Sequence, residues 1–322
     1  MPEKSLILGI DTSNYTTSAA LCTTDGEVVL NLKKLLPVAE GERGLRQSDA
    51  LFAHTKNLPL IMKELDSFLE REYPQRKIVA VGYSATPRDV EGSYMPCFLS
   101  GVATASAISA ALGCPLYPFS HQSGHVMAAL YSAGKRELLD GGERFAAFHV
   151  SGGTTEMLLI TPDNDSFTVE LIGGTADINA GQAIDRTGVM MGLRFPCGRE
   201  MEAMLGGGDL PRAKTRISVK GLECNLSGLE NLTKKLYDET GDRLKTAAYC
   251  FDFVADTLSA LTENLRKEYE NIPIIYAGGV MSNRRIGKRL AEYENTYFSS
   301  PEFSSDNAAG VALLCQRKLM KQ

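Results

Sequence analysis

Residues 6–32 have the sequence LILGIDTSNYTTSAALCTTDGEVVLNL, in which three apolar runs are separated by two polar turns. Short apolar runs bounded by Gly, Asp, Asn and Ser predict β-strands joined by hairpins. Residues 145–172 repeat the pattern, with apolar runs at 145–150, 157–160 and 167–172. The chain is therefore predicted to contain the same three-stranded unit twice, although such meanders are common enough for two to occur by chance.

Each predicted unit is followed by helical segments and by one more strand. Apolar residues recur at helical spacing in 58–72 and 101–112 after the first unit and in 249–269 after the second. Short apolar runs at 78–83 and 272–277 are typical of buried strands. This order favours an α/β fold of two lobes that face each other across a cleft, where ligands usually bind.

The length and composition are those of a globular protein with room for two domains. The chain has 322 residues, of which 43% are hydrophobic and 23% charged, and these values exclude disordered, collagen-like and coiled-coil chains. We expect the first lobe to span residues 1–117, completed by about 300–322, and the second lobe to span 118–299. Seven scattered cysteines form no Cys-x-x-Cys pair, which is typical of free thiols rather than of a disulfide framework.

The sequence also bears on location and on charged partners. No signal peptide and no apolar run of membrane-spanning length is visible, so a cytoplasmic location without membrane contact is predicted. The formal net charge of −5 gives the chain as a whole no general attraction for nucleic acid. Its short basic clusters are more typical of a solvated surface. They are Lys33-Lys34, Lys234-Lys235 and Arg284-Arg285 with Lys288.

Three motifs have residues suited to ligand binding, and each also has a purely structural interpretation. The sequence SGGTT at 151–155 lies between two predicted strands, where its backbone N–H groups can bind a phosphate or simply form a hairpin turn. In GGVMSN at 278–283, Asn283 can contact a nucleoside or cap the following helix. His121 and His125 share one face of a helix, which suits a metal ion or a polar helix edge.

Taken in chain order, these segments resemble the TsaD family of tRNA-modifying enzymes. The match extends over nearly the whole chain, and eight motifs in one order are far more specific than any single motif. The matching segments are GIDTS at 9–13, HQSGH at 121–125, VSGG at 150–153, AGQAID at 180–185, FPCG at 195–198, SGL at 227–229, GGVMSN at 278–283 and SDNAA at 305–309.

The resemblance implies a fold, a reaction and a site. The fold is the duplicated two-lobe fold shared by actin, heat-shock chaperone ATPases and sugar kinases, with a five-stranded sheet in each lobe. The reaction moves a threonylcarbamoyl group from an adenylate to the adenosine beside the anticodon of tRNA. By position, His121, His125 and Asp306 are implied to hold a divalent iron or zinc ion, with Asp11 as a catalytic residue. The resemblance also implies a set of residues that bind ATP, AMP or the threonylcarbamoyl-adenylate. They are Val150, Ser151, Gly152, Gly153, Asp185, Gly198, Glu202 and Asn283.

The chain also departs from the family pattern. An acidic pair of the family, in Cys-Asp-Glu-Thr, is absent from residues 14–17, which are Asn-Tyr-Thr-Thr, and Gly-Pro-Gly is replaced by TPRDVE at 86–91. Thr154 stands where the family has His, and Glu230 stands where it has Lys. The chain therefore looks like a divergent paralogue of the family. Two functions stay open: an active carbamoyl-type transferase that acts on tRNA or on another acceptor, and a nucleotide-binding partner or sensor that has lost the transfer step. Retention of the three metal ligands favours an active transferase.

Charge predicts how such a protein would meet tRNA. The net charge of −5 and the acidic Glu230 both reduce attraction for phosphate groups. We therefore expect the isolated chain to bind tRNA weakly and to depend on partner proteins of a tRNA-modification assembly, as the resemblance implies.

Overall fold

The computed structural model describes residues 4–13, 15–37, 45–206 and 210–321. Their contacts divide the chain into two compact units. Unit 1 comprises the described parts of Met1–Gly142, Pro162–Thr168 and Ser305–Gln322, and unit 2 comprises those of Glu143–Thr161 and Val169–Ser304.

The strands and helices are numbered in chain order. The strands are β1 (Lys4–Asp11), β2 (Thr16–Thr23), β3 (Val28–Leu35), β4 (Arg76–Thr86), β5 (Leu116–Ser120), β6 (Phe145–Val150), β7 (Thr155–Pro162), β8 (Phe167–Thr175), β9 (Ser218–Lys220), β10 (Glu223–Asn225), β11 (Ile274–Ala277) and β12 (Thr296–Phe298). The helices are α1 (Gln47–Glu72), α2 (Phe98–Leu112), α3 (His121–Ser132), α4 (Ala180–Met190), α5 (Gly198–Met204), α6 (Gly228–Thr240), α7 (Arg243–Glu268), α8 (Arg284–Leu290) and α9 (Ala309–Met320).

The two sheets confirm the duplication that the sequence predicts. The first sheet has the order β3-β2-β1-β4-β5, and the second contains the equivalent order β8-β7-β6-β11-β12. In both, the first strand pairs antiparallel with its hairpin partner and parallel with the later strand. The second sheet has seven strands rather than the five expected, because the short pair β10 and β9 extends it beyond β8.

Two predicted helices begin earlier than their apolar periodicity indicates. Helix α1 begins at Gln47 rather than at residue 58, and it continues through Pro59. Helix α7 begins at Arg243 rather than at 249, because the side chain of Asp242 accepts a hydrogen bond from the backbone N–H of Lys245. An N-cap of this kind satisfies a backbone donor that the first helical turn leaves unpaired.

Unit 1 is built around β1, whose side chains are buried from Leu6 to Asp11. Such a continuous apolar run is typical of a strand covered on both faces. The cover on one side is α9, which approaches the strand at Gly9. A Cβ at this position would lie 2.5 Å from the carbonyl oxygen of Ala308 and 2.6 Å from the backbone nitrogen of Ala312. Glycine therefore allows the helix backbone to lie directly on the strand.

The division between the units differs from the predicted lobe boundary. Residues 118–142 belong to unit 1, whereas the sequence placed them in the second lobe, and residues 300–304 belong to unit 2. The reason is that α3 packs on α9, and the backbones of Gly124 and Gly310 touch where the two helices meet. Among the described residues, no helix is both long and apolar enough to cross a membrane.

Candidate metal centre and nucleotide-binding loops

Three strands of unit 1 bring the predicted metal ligands to one edge of their sheet. β1 is parallel to β4, and β4 is parallel to β5, so their carboxyl ends share the edge at which such sheets usually bind ligands. Asp11 is the last residue of β1, and His121 follows β5 directly as the first residue of α3. Asp306 lies shortly before α9, which packs on both β1 and α3.

His121, His125 and Asp306 offer ligand atoms that all lie within 4.8 Å of one another. The two Nε2 atoms are 2.9 Å apart. Oδ1 of Asp306 lies 3.3 Å from Nε2 of His125 and 3.6 Å from Nε2 of His121. Ligands held about 2.1 Å from a tetrahedral or octahedral metal are about 3.0 to 3.4 Å from one another. The triangle therefore has the size that one such metal requires.

The donor set also fits a divalent transition metal. Two imidazoles and one carboxylate are found both in zinc sites and in non-haem iron sites, where they leave further coordination positions open. The structure thus brings together the three residues that the sequence motifs single out.

Asp11 lies behind this cluster and contacts His121 instead of joining the three ligand atoms. Its Oδ2 is 2.7 Å from Nδ1 of His121, and its Oδ1 accepts a hydrogen bond of 2.6 Å from the backbone N–H of Ser13. A metal-binding histidine usually donates its second N–H to such a carboxylate, which fixes the ring's orientation and tautomer. Asp11 is therefore placed to orient His121, and the catalytic role that the resemblance implies for it stays a prediction.

The cluster favours a positive charge. Burial by itself would lower the pKa of His121, but the carboxylates of Asp11 and Asp306 outweigh it and raise this pKa to about 10. Burial would likewise raise the pKa of Asp306, yet hydrogen bonds and charges from His121 and His125 hold it well below its usual value. The pKa of Asp11 is lowered by His121 despite burial. A bound cation supplies the same positive charge, which is a second reason that these residues fit a metal.

His54 is a buried polar residue of α1 that the sequence motifs did not single out. Its Nδ1 is 2.9 Å from Oγ1 of Thr17, which also accepts a hydrogen bond of 3.2 Å from Nδ2 of Asn57. Its Nε2 is buried with no hydrogen-bond partner in the part of the chain that the structure describes. Burial lowers the pKa of His54 to about 4, although nearby Asp11 opposes this. The i, i+4 spacing of Ala50 and His54 is the signal that could have placed this histidine in the core.

The positions of the family's acidic pair carry no carboxylate here. Tyr15 is exposed, and Thr16 is buried. Asn14, at the preceding position, lies outside the described residues. The buried Thr17 contacts His54 and Asn57, so its polar contacts are within unit 1.

The segment 86–91, which replaces the family's Gly-Pro-Gly, is tied to the first turn of α3. Oδ2 of Asp89 accepts hydrogen bonds from Oγ of Ser120 at 2.7 Å and from Oγ of Ser123 at 2.6 Å. Ser120 is the N-cap of α3, because its side chain accepts a hydrogen bond from the backbone N–H of Ser123. These contacts hold both ends of the turn that contains His121.

In unit 2, the SGG loop follows β6 at the carboxyl end of three parallel strands, β6, β11 and β12. Oγ of Ser151 accepts hydrogen bonds from the backbone N–H groups of Gly153 at 3.3 Å and Thr154 at 3.1 Å. A Cβ built on Gly152 or Gly153 would meet no atom within 4 Å. The loop is therefore open on that side, and its N–H groups would be available to a phosphate if the serine hydroxyl turned away.

Two other predicted segments meet this loop. A Cβ on Gly278, which follows β11, would overlap the carbonyl oxygen of Val150. The backbone N–H of Gly181 in α4 donates a hydrogen bond of 3.1 Å to the carbonyl oxygen of Ser151. The structure thus brings the motifs around residues 151, 180 and 278 together within unit 2.

Asn283 directly precedes α8, and the side chain of Glu202 from α5 reaches the start of that helix. Oδ1 of Asn283 accepts hydrogen bonds from the backbone N–H groups of Arg285 at 3.0 Å and Ile286 at 3.1 Å, so Asn283 is the N-cap of the helix. Oε1 of Glu202 accepts a hydrogen bond of 2.7 Å from the backbone N–H of Arg284. The capping interpretation of Asn283 is therefore confirmed, and nucleoside contact remains a prediction.

Asp185 lies on α4, where it is half-buried. Its Oδ1 accepts a hydrogen bond of 2.7 Å from the backbone N–H of Cys197, directly before Gly198 at the start of α5. Burial raises the pKa of Asp185, and the Cys197 N–H opposes part of this effect. The carboxylate thus links α4 to the segment that resembles the family's Tyr-Pro-Gly-Gly.

Two charged residues that bear on RNA binding are paired within unit 2. Glu230, which stands where the family has Lys, lies 2.9 Å from Nη1 of Arg186. Arg285, which the sequence placed in a solvated basic cluster, contacts both carboxylate oxygens of the buried Asp252, at 2.7 and 2.8 Å. Arg285 therefore has a structural role in this unit, and the solvated interpretation was wrong for this residue.

Similarity to solved structures agrees with the two-sheet topology. The structure of full-length HypF in its phosphate- and nucleotide-bound form superposes with a TM-score of 0.60 at 12% identity, covering 99% of this chain and 46% of that one. Component A of (R)-2-hydroxyglutaryl-CoA dehydratase from Acidaminococcus fermentans gives a TM-score of 0.51 at 15% identity, covering 98% of this chain and 99% of that one. The fold is of the actin, heat-shock chaperone and sugar-kinase type.

Sequence similarity extends over the whole chain. The tRNA N6-adenosine threonylcarbamoyltransferase of Streptococcus suis (strain 05ZYH33) is 30% identical over an alignment of 337 positions, which covers 100% of this chain and 95% of that protein. The enzyme of the same name from Streptococcus thermophilus (strain CNRZ 1066) is also 30% identical, covering 95% and 90%. The profile of the TsaD family, described as tRNA N6-adenosine threonylcarbamoyltransferase, matches residues 41–313. The chain belongs to the TsaD family.

Proposed function

We propose that this protein transfers a threonylcarbamoyl group from an adenylate donor to N6 of the adenosine beside the anticodon of tRNA. The observation that carries the proposal is the cluster of His121, His125 and Asp306, because this chain of the TsaD family keeps a complete metal-binding set. A protein that had lost the transfer step would have no chemical need for it. A cytoplasmic location is part of this proposal.

The proposal assigns the metal to unit 1. His121, His125 and Asp306 would hold a divalent iron or zinc ion, which would supply a Lewis acid for phosphate or carbamoyl oxygens. Asp11 would keep the Nε2 lone pair of His121 directed at the ion, because its carboxylate would accept a hydrogen bond from the Nδ1–H of that ring. Asp89 would hold the first turn of α3 through Ser120 and Ser123.

The proposal assigns the adenylate to unit 2. The open loop at Gly152 and Gly153 would receive the phosphate, and the segments of Asp185 and Asn283 would receive the adenosine. Both of these side chains already hold neighbouring backbone in place, through Cys197 and through the start of α8. In the transfer itself, the adenine amine of tRNA forms a bond to the carbamoyl carbon and releases one proton. The bond from that carbon to the adenylate oxygen breaks, and AMP leaves with the electron pair.

The reaction is tested in cells in which this chain replaces the resident enzyme of the family. We expect threonylcarbamoyladenosine to be present in the tRNA, and to fall by at least about 100-fold when Asp306 is replaced by Ala, because the cluster loses its only carboxylate ligand. The measurement is nucleoside analysis of purified tRNA by mass spectrometry. The exposed Asp238→Ala on α6 is the matched control and should preserve the modification. Folded, expressed protein that yields no modified nucleoside would contradict the proposed function.

We expect an adenine nucleotide to stabilise the protein, and Asp185→Ala to weaken that effect. At about 100 times its dissociation constant, a ligand adds about 2.7 kcal/mol to the free energy of unfolding. The variant loses the hydrogen bond from the Cys197 N–H that positions the start of α5. Its unfolding temperature should therefore rise much less when nucleotide is added. Thermal unfolding with and without AMP or ATP measures both shifts.

The control for this prediction is again Asp238→Ala, an exposed carboxylate of unit 2 whose loss should leave the nucleotide shift unchanged. Absence of any shift in the wild type, or an equal shift in Asp185→Ala, would show that the adenylate site has been assigned to the wrong residues.

A further inference from the structure

Residues 211–220 expose alternate side chains, as an extended backbone does. The residues at even positions from 212 to 220 are exposed, and those at odd positions from 213 to 219 are partly buried. The exposed set contains four basic residues and one serine, and no acidic residue occurs between 211 and 222. We call its basic members the basic edge. They are Arg212, Lys214, Arg216 and Lys220.

The segment is fixed in this orientation by α7. The carboxylate of Asp252 accepts a hydrogen bond of 2.8 Å from the backbone N–H of Ala213. Asp256 accepts one of 2.6 Å from Oγ1 of Thr215, and Nδ2 of Asn264 donates one of 2.8 Å to the carbonyl oxygen of Gly221. Polar anchors on α7 therefore hold the odd positions inward and leave the even positions exposed, although Arg212 also contacts Asp256 of that helix.

The final residues of the segment form β9, which is the last strand of the seven-stranded sheet. An edge strand has no hydrogen-bonded neighbour on one of its sides, and lysines are common on such strands. In the β9–β10 register, Lys220 lies opposite Glu223, and Arg212 contacts Asp256. Lys214 and Arg216 are the exposed basic residues in the middle of the basic edge, between Arg212 and Lys220.

We propose that the basic edge binds the sugar-phosphate backbone of RNA. Successive exposed residues of an extended segment are about 6.6 Å apart, which is of the order of the spacing between neighbouring phosphates of one strand. Arginine and lysine are the side chains that pair with phosphate oxygens. This inference rests on the proposed function, since tRNA is the RNA that the transferase would meet.

The inference is compatible with weak binding by the isolated chain. An edge with three or four phosphate contacts gives a slope of about −2 to −4 in a plot of log affinity against log salt concentration. Proteins that make six to ten such contacts have much steeper slopes. The net charge of −5 contributes no long-range attraction, so contact with RNA depends on a local basic surface such as the basic edge.

The test compares two double variants that change the net charge equally. Lys214→Gln with Arg216→Gln alters the basic edge, and Lys234→Gln with Lys235→Gln alters an exposed basic pair on α6 of the same unit. We expect the first variant to bind purified tRNA about 10-fold more weakly and with a salt slope lower by about 2, because two phosphate contacts are lost. The second variant should match the wild type. Fluorescence titration of labelled tRNA at several salt concentrations measures both quantities.

Equal losses in both variants would overturn the inference, because net charge alone would then explain the binding. Unchanged RNA affinity in the first variant would also overturn the inference. An acidic protein partner would then be the alternative ligand of the basic edge. The outcome is separable from the proposed function. Wild-type protein that modifies tRNA while the first variant binds normally keeps the function and rejects the basic edge. If the wild-type protein forms no product but binds RNA through Lys214 and Arg216, the proposed function is rejected and the basic edge is kept.

Discussion

The His125→Ala protein is expected to purify without the divalent iron or zinc ion that we propose for the wild type. The substitution removes one corner of a triangle whose other two atoms are Nε2 of His121 and Oδ1 of Asp306. Changing a residue that merely supports a metal ligand costs about 10- to 100-fold in affinity, so loss of a ligand itself should exceed 100-fold. Elemental analysis and a competition titration against a chelator measure the loss.

Two further variants make this prediction specific. His54→Gln replaces a histidine of the same unit that is not in the cluster, so it should retain the metal. Asp11→Asn keeps all three ligands but weakens the hydrogen bond to Nδ1 of His121. Its metal affinity should therefore fall by about 10- to 100-fold. A wild-type protein without metal after gentle purification, or a His125→Ala protein that retains it, would show the assignment to be incorrect.

The second large effect is expected for Gly310→Ala, in the first turn of α9. A Cβ at this position would overlap the carbonyl oxygen of Gly124 and would lie 3.0 Å from the backbone nitrogen of Ala128. Both neighbouring atoms belong to the backbone of α3, so one helix must move away from the other. Overpacking of this kind costs about 3 kcal/mol of the free energy of unfolding.

The same displacement should reach the metal centre. Helix α3 carries His121 and His125, and Asp306 lies just before α9, so the contact at Gly310 sets the separation between the two kinds of ligand. We expect metal affinity to fall together with stability, although no ligand is changed. Chemical denaturation and metal titration measure the two effects. Gly141→Ala is the control, because a Cβ there meets no atom within 4 Å. A Gly310→Ala protein with normal stability and metal content would contradict this account of the packing.

The sequence by itself determined the repeated strand pattern and the members of the metal cluster. The strand pattern is local, because apolar runs and polar turns within residues 6–32 and 145–172 specify strands wherever the chain places them. The cluster depended on the resemblance to the TsaD family, which implied Asp306 as the partner of two histidines far from it along the chain. No periodicity could have paired them.

Tertiary structure alone decided what those motifs contact. Asp11 belongs to a matched motif, but its bond to His121 exists only because β1 and β5 end at the same edge of one sheet. Likewise, Arg285 looked like a surface residue until α8 packed beside the buried Asp252. In both cases the partner is distant along the chain, so local pattern contains no information about it.

The lobe boundary and the basic edge were hidden for the same physical reason. Residues 118–142 belong to unit 1 because the backbones of Gly124 and Gly310 touch, a contact between residues nearly two hundred positions apart. The basic residues of 212–220 alternate with uncharged ones and form no run that a search for clusters would detect. They share one face because the segment is extended, and that face meets solvent because Asp252, Asp256 and Asn264 of α7 bind residues 213, 215 and 221. Which side of an extended segment meets solvent is set by what packs on its other side.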